Sequence, residues 1–113
     1  MRKLIAVLLL STVSAFAQAT SHKVTLTWTD TQNPAGSTTY SVYRAVGLCS
    51  GSPTFSKLAT GIATLTYIDL TATPGNYCFQ VTATVGGVES APSASVLVPV
   101  PAFAPTALSF TVQ

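Results

Sequence analysis

Few side chains in this chain can do chemistry: one histidine, His22; two cysteines, Cys49 and Cys78; and three acids, Asp30, Asp69 and Glu89. Cys78 sits between two aromatics in "TPGNYCFQVTA", residues 73–83. It reads either as a reactive thiol or as half of a bridge. A thiolate nucleophile needs a base beside it, and His22, near the start of the mature chain, is the single imidazole available. One His, two Cys and three scattered carboxylates do not make a metal-ligand set, so neither a metal nor any other cofactor is expected. Glycoside cleavage requires two carboxylates flanking one bond. Asp30 follows one strand, Asp69 reads as a turn residue, and Glu89 lies in a late hairpin; in a sandwich, Asp30 and Glu89 could come to the same end, but nothing around them suggests a raised pKa. No catalytic residue is expected. The remaining candidates bind rather than react. Tyr43 is an outward aromatic, and Gln32 and Asn33 lie in the loop "DTQNPAGS". Trp28 has a face that could stack on a sugar, but its spacing from Val24 and Leu26 assigns it to the core.

The chain opens with Met1-Arg2-Lys3, an apolar run from Leu4 to Leu10, and small residues at Ala15 and Ala17. This is the pattern of a secretory signal over residues 1–17, cleaved after Ala17, with Ala19 the next choice. The run is too short to span about 30 Å of hydrocarbon, so no membrane span is expected once it is removed. The formal net charge of +2 comes from Arg2 and Lys3; thereafter Lys23, Arg44 and Lys57 balance Asp30, Asp69 and Glu89. A chain with no basic patch cannot neutralise a run of phosphates, which argues against a nucleic-acid partner. The expected location is extracellular or periplasmic, where disulfides persist.

The elements that must position these residues are strands. After the leader, no stretch repeats apolar residues at helical spacing. "KVTLTWT" alternates Val24, Leu26 and Trp28 against Thr25, Thr27 and Thr29, and "TYSVYRA" places Tyr40 and Val42 inward, Ser41 and Tyr43 outward. A short strand around Phe55–Ala59 follows the turn-rich "GLCSGSP". "TLTYIDL" alternates Leu65, Tyr67 and Asp69. The next strand puts Tyr77, Phe79, Val81 and Ala83 on one face, Gly86-Gly87 signals a hairpin, and "SAPSASVLV" supplies the last strand. Short strands separated by turn signals predict an all-β, antiparallel sandwich.

Trp28 on an early strand, "YSVYR" on the next, "YID" before "LTATPGNYCFQV", and the ending "GGVESAPS" together resemble a fibronectin type III domain, over residues 22–98. The resemblance implies an immunoglobulin-like sandwich. Trp28, Tyr40, Leu70 and Tyr77 would form its structural core, with Tyr77 making a tyrosine corner to a backbone group just upstream. It also sets Cys49 beside the strand of Cys78, which in an oxidising compartment implies a Cys49–Cys78 disulfide with Cys78 facing away from the core. No Arg-Gly-Asp adhesive signal is present. The family opens with a strand ahead of the tryptophan strand, and here only "ATSH" precedes Lys23. Residues 99–113 instead hold a proline-spaced linker and "APTALSFTVQ", in which Leu108, Phe110 and Val112 alternate like such an opening strand. This segment reads as the start of an incomplete next domain or as an extra strand for a vacant edge.

The function expected from these features is that of a non-catalytic secreted spacer or interaction module presenting loops to an extracellular partner. Two alternatives stand beside it. One is a carbohydrate- or cell-surface-binding module using Tyr43 and the end loops. The other is a structural protein that self-associates by exchanging its C-terminal strand through an open sheet edge.

Overall fold

The computed structural model describes residues 20–112. The expected signal segment, residues 1–17, with both expected cleavage positions, lies outside the described residues. Seven strands follow one another: β1 (His22–Thr27), β2 (Thr38–Val46), β3 (Ser56–Ile62), β4 (Thr66–Ala72), β5 (Gly75–Val85), β6 (Val88–Glu89) and β7 (Val96–Val100). They form two antiparallel sheets. β1 pairs with β4 in the smaller one; in the larger, β2 lies between β3 and β5, and both β6 and β7 line the far side of β5.

Local chemistry explains the connections. β5 turns into β6 through Gly86 and Gly87, at φ 58° and 81°. Two consecutive positive φ values define the hairpin turn whose twist suits antiparallel strands, and glycine reaches them without a Cβ clash. Pro99 sits in β7, an edge strand, where its missing N–H breaks no ladder.

Between the sheets, Val42, Ala72, Tyr77, Phe79 and Val100 are buried together. Val24, Leu26, Trp28, Leu58, Ile62, Tyr67, Val81 and Val98 pack round them, each partly exposed. Trp28 follows β1 rather than ending it. Its backbone N–H donates to the Leu65 carbonyl at 3.0 Å, and its ring meets that of Tyr40 edge-on at 5.5 Å. Val100 is 6% exposed, so the last strand runs two residues beyond the expected boundary at Val98.

Three expectations are corrected by the packing. Leu70 is 63% exposed and is not a core residue. On β4 it shares parity with Ile68, pointing outward, while Tyr67 and Asp69 point inward. A register shift then follows, because Val24 opposes Asp69 but His22 opposes Ala72. The extra β4 residue brings Ala72, not Leu70, into the interior. Asp69 is no turn residue either; it lies within β4 and is 1% exposed. Cys78 has the outward parity expected of it, opposite Ala45, but is fully buried. Its bridge to Cys49, with Cα atoms 5.2 Å apart, folds the 47–49 loop over it.

Candidate functional site

The titratable groups gather in three places. The first lies between the sheets. Arg44 has the inward parity of Tyr40 and Val42, and its Nη1 donates to Asp69 Oδ2 at 2.7 Å and to Thr71 Oγ1 at 2.9 Å. Asp69 Oδ1 accepts from the Thr71 backbone at 2.9 Å and from its hydroxyl at 2.6 Å. Burial pushes the Asp69 pKa up, but the Thr71 bonds and Arg44 together outweigh it, and the net direction is down. The guanidinium also sits 4.9 Å from the centre of the Tyr77 ring, which stabilises a cation through the ring's negative face. Tyr77 Oη accepts the Thr73 backbone N–H at 3.0 Å and lies 2.8 Å from the Thr73 hydroxyl. That is a hydroxyl tied to a backbone group four residues upstream. The cluster joins one sheet to the other. Asp69 is buried while the Arg44 side chain is 22% exposed, so removing Arg44 leaves the carboxylate as a buried charge without its partner.

The second place is the loop after Trp28. Asp30 Oδ1 accepts the backbone N–H groups of Gln32 and Asn33 at 3.0 and 3.1 Å. Its Oδ2 accepts the Asn33 side-chain amide at 2.8 Å and the Tyr40 hydroxyl at 2.7 Å. The Asn33 amide first, then the Tyr40 hydroxyl and the Gln32 backbone, lower the Asp30 pKa to about 2. Asn33 is therefore occupied in shaping the loop, with its side chain turned to Asp30. The side chain of Gln32 belongs to an exposed residue.

Tyr43 occupies the third place, on the outer face of the larger sheet. Its hydroxyl donates to Glu89 Oε2 at 2.5 Å, and Thr82 Oγ1 donates to the same oxygen at 2.6 Å. The Lys57 ammonium stands 5.7 Å from the Tyr43 ring centre. Thr82 and then Tyr43 hold the Glu89 carboxyl below its ordinary value, and the same bond raises the Tyr43 hydroxyl. Tyr43, Phe55, Gln80, Thr82, Glu89 and Pro92 border a concavity of about 310 Å³. Small neighbours on this face, Ser41 and Thr82, are 2% and 5% exposed, because the larger side chains around them close over the pleat.

Asp30 and Glu89 come to one end of the sandwich, as expected, but do not share a site. Ser90 and Pro92 stand between them, lining a concavity with Asp30 on one side and with Glu89 on the other. Each carboxylate is committed to hydrogen bonds that keep it ionised, which removes it as a proton donor at neutral pH. Among the described residues, no group of three or more His, Cys, Asp or Glu is placed to hold a metal ion. No helix among them is long and apolar enough to cross a membrane.

Sequence reasoning missed the pairing of Arg44 with Asp69. The signal was present as opposite charges on the inward parity of two strands, which must meet if the strands face each other across the core.

A solved structure makes the architecture comparable. The solution structure of a fourth fibronectin type III domain, from human, superposes with a TM-score of 0.58 at 24% sequence identity, covering 80% of this chain and 76% of that one. The fold is fibronectin type III-like. No family model matches the chain, and no curated protein matches it significantly. Within the fibronectin type III-like frame, the Tyr77 hydroxyl tied to Thr73 has the geometry of a tyrosine corner.

Proposed function

We propose that this chain is a non-catalytic interaction module of the extracellular space or periplasm. It presents the Tyr43 face to a partner on a rigid sandwich. A fold by itself assigns no activity, so the reading rests on what the polar groups do. One observation carries it: the acids are spent on positioning. Asp69 locks the sheets together, Asp30 shapes a loop, and Glu89 orients Tyr43 beside an open concavity. The Cys49–Cys78 bridge suits an oxidising compartment, and the leader of residues 1–17 supplies the export route.

Carbohydrate is the partner chemistry favoured by a specific feature of that face. Tyr43 and Phe55 offer aromatic surface next to the Gln80 amide and the Glu89 carboxylate. Apolar ring faces with a few placed polar groups are what orient a small ligand in a shallow site. Affinity electrophoresis through gels containing soluble polysaccharides tests this, with Tyr43→Ala and Gln80→Ala beside the parent. Retardation of the parent by one glycan, lost in both variants while their Trp28 emission stays unchanged, supports the site. Equal migration of all three proteins on every glycan rejects the sugar reading. Parallel capture on immobilised extracellular-matrix proteins, sensitive to the same two substitutions, would keep the face and replace the sugar by a protein.

A further inference from the structure

We infer that β1 accepts the Leu108–Val112 segment of a second copy of this chain as a neighbouring strand, so that copies join head to tail. This surface is separate from the Tyr43 face and holds whether or not that face binds a partner.

Three observations meet here. First, β1 pairs with β4 along one side, and no described strand pairs with its other side. The unpaired side opens onto a groove of about 280 Å³ between β1 and β7, floored by Leu26, Phe79, Val81 and Val98 with Trp28 at one end. The interior is thus unroofed along the line where one more strand would lie. Unpaired strand edges over apolar floors recruit strands.

Second, the chain carries a segment of the matching type with nothing to cover it. Leu108, Phe110 and Val112 alternate with polar residues and are 91%, 83% and 82% exposed. Residues 101–113 contain no Asp, Glu, Lys or Arg, so laying them along the groove buries no charge. Alternation at period two places the three apolar side chains on one face, towards the groove floor, while their backbone faces β1.

Third, direction selects a second copy over the chain's own tail. Phe103, three residues past β7, stacks on His22 at the start of β1, with ring centroids 4.0 Å apart. At the other end, Trp28 just past β1 shares the groove with Ser93 and Ala94 just before β7. β1 and β7 therefore run in opposite directions, and the tail leaves beside the start of β1. To pair antiparallel with β1, a strand must enter at the Trp28 end. β1, at six residues, is about 20 Å long. With Phe103 held on His22 at the start of β1, the five Cα steps from Phe103 to Leu108 span at most about 18 Å, and cannot carry Leu108 past the far end and also reverse the chain. A neighbour stacked below delivers its tail to that end in the required direction. The orphan polar atoms agree with this placement. His22 Nε2 and Trp28 Nε1 are buried without a hydrogen-bond partner, one at each end of β1, where an added backbone would bring polar groups alongside.

A donor at one end and an acceptor at the other make a heterologous contact, which can be repeated from copy to copy and so is not limited to a dimer. Sedimentation velocity of residues 18–113 over increasing concentration should show a ladder of species extending past dimer. Leu108→Asp combined with Phe110→Asp, on a tail outside the folded core, should remove every species above monomer. The single tryptophan, Trp28, reports from the groove. A synthetic peptide spanning Ala104–Gln113, added to that monomeric variant, should shift Trp28 emission with one-to-one saturation, and the doubly substituted peptide should leave it unchanged. A parent that stays monomeric with a silent peptide overturns the inference, and would leave the tail free to open a following unit. Association that survives the double substitution also overturns it, as does a parent that stops at dimer, which would require the opposite strand direction.

Discussion

At the scale of single residues, the acids of this protein are stabilisers whose worth depends on their charge. Asp30 has its pKa lowered from an ordinary value of 3.8 to about 2, chiefly by the Asn33 amide and the Tyr40 hydroxyl. A group whose folded pKa lies below its unfolded one stabilises fully above the unfolded value and loses that contribution as pH falls through the folded value. For Asp30 the window runs from about pH 4 down to about pH 2. Glu89 and Asp69 shift in the same direction and add to the acid sensitivity. Asp30→Asn should therefore be less stable than the parent at neutral pH, with the gap closing as pH approaches 2. Urea midpoints across that range measure it. A gap that stays constant with pH would show that the Asp30 charge contributes nothing. Arg44 and Asp69 teach a second lesson at this scale. Alternation put both on inward parity, and only the meeting of two sheets turned two improbable core residues into a satisfied pair.

Among the elements, β2 and β5 form the rigid centre. They pair without interruption from Thr38 opposite Val85 to Val46 opposite Tyr77, and each has neighbours on both sides. β1 is held along one side and is half-exposed along its length. Local opening free energies track such differences in pairing and burial. In a monomeric chain, β1 amides should exchange hydrogen much faster than those of central β2 and β5, which exchange only through global unfolding. Hydrogen exchange read by NMR resolves the two classes. Protection of β1 equal to that of β5 would contradict the weak edge. The same contrast explains which strands were legible in advance. β5 shows clean alternation of Tyr77, Phe79, Val81 and Ala83 between a Pro-Gly and a Gly-Gly turn, whereas the end of β4 hides a register shift that moves Ala72 inward and leaves Leu70 in solvent.

For the molecule as a whole, a small sandwich whose described strands leave one side of β1 unpaired gains from a covalent constraint. Cys49 and Cys78 are 29 residues apart in sequence, and closing a loop of that length removes about 3 to 4 kcal/mol of unfolded-state entropy. Stability of small domains is about 5 to 15 kcal/mol, so the bridge decides whether this one is robust or marginal. Cys49→Ala combined with Cys78→Ala should lower the unfolding free energy by about that amount, measured by urea denaturation followed through Trp28. An unchanged midpoint would mean the bridge merely decorates an already stable fold. By itself the sequence determined the strand class, the balanced charge of residues 18–113, and the faces of Tyr40, Val42 and Tyr77, because period-two alternation and turn residues act locally. Tertiary structure alone decided that Arg44 meets Asp69, that Leu70 points out, that Cys78 is sealed in, and that a groove stays open beside β1. Each of those depends on which strand lies across from which, and so on contacts between residues far apart along the chain.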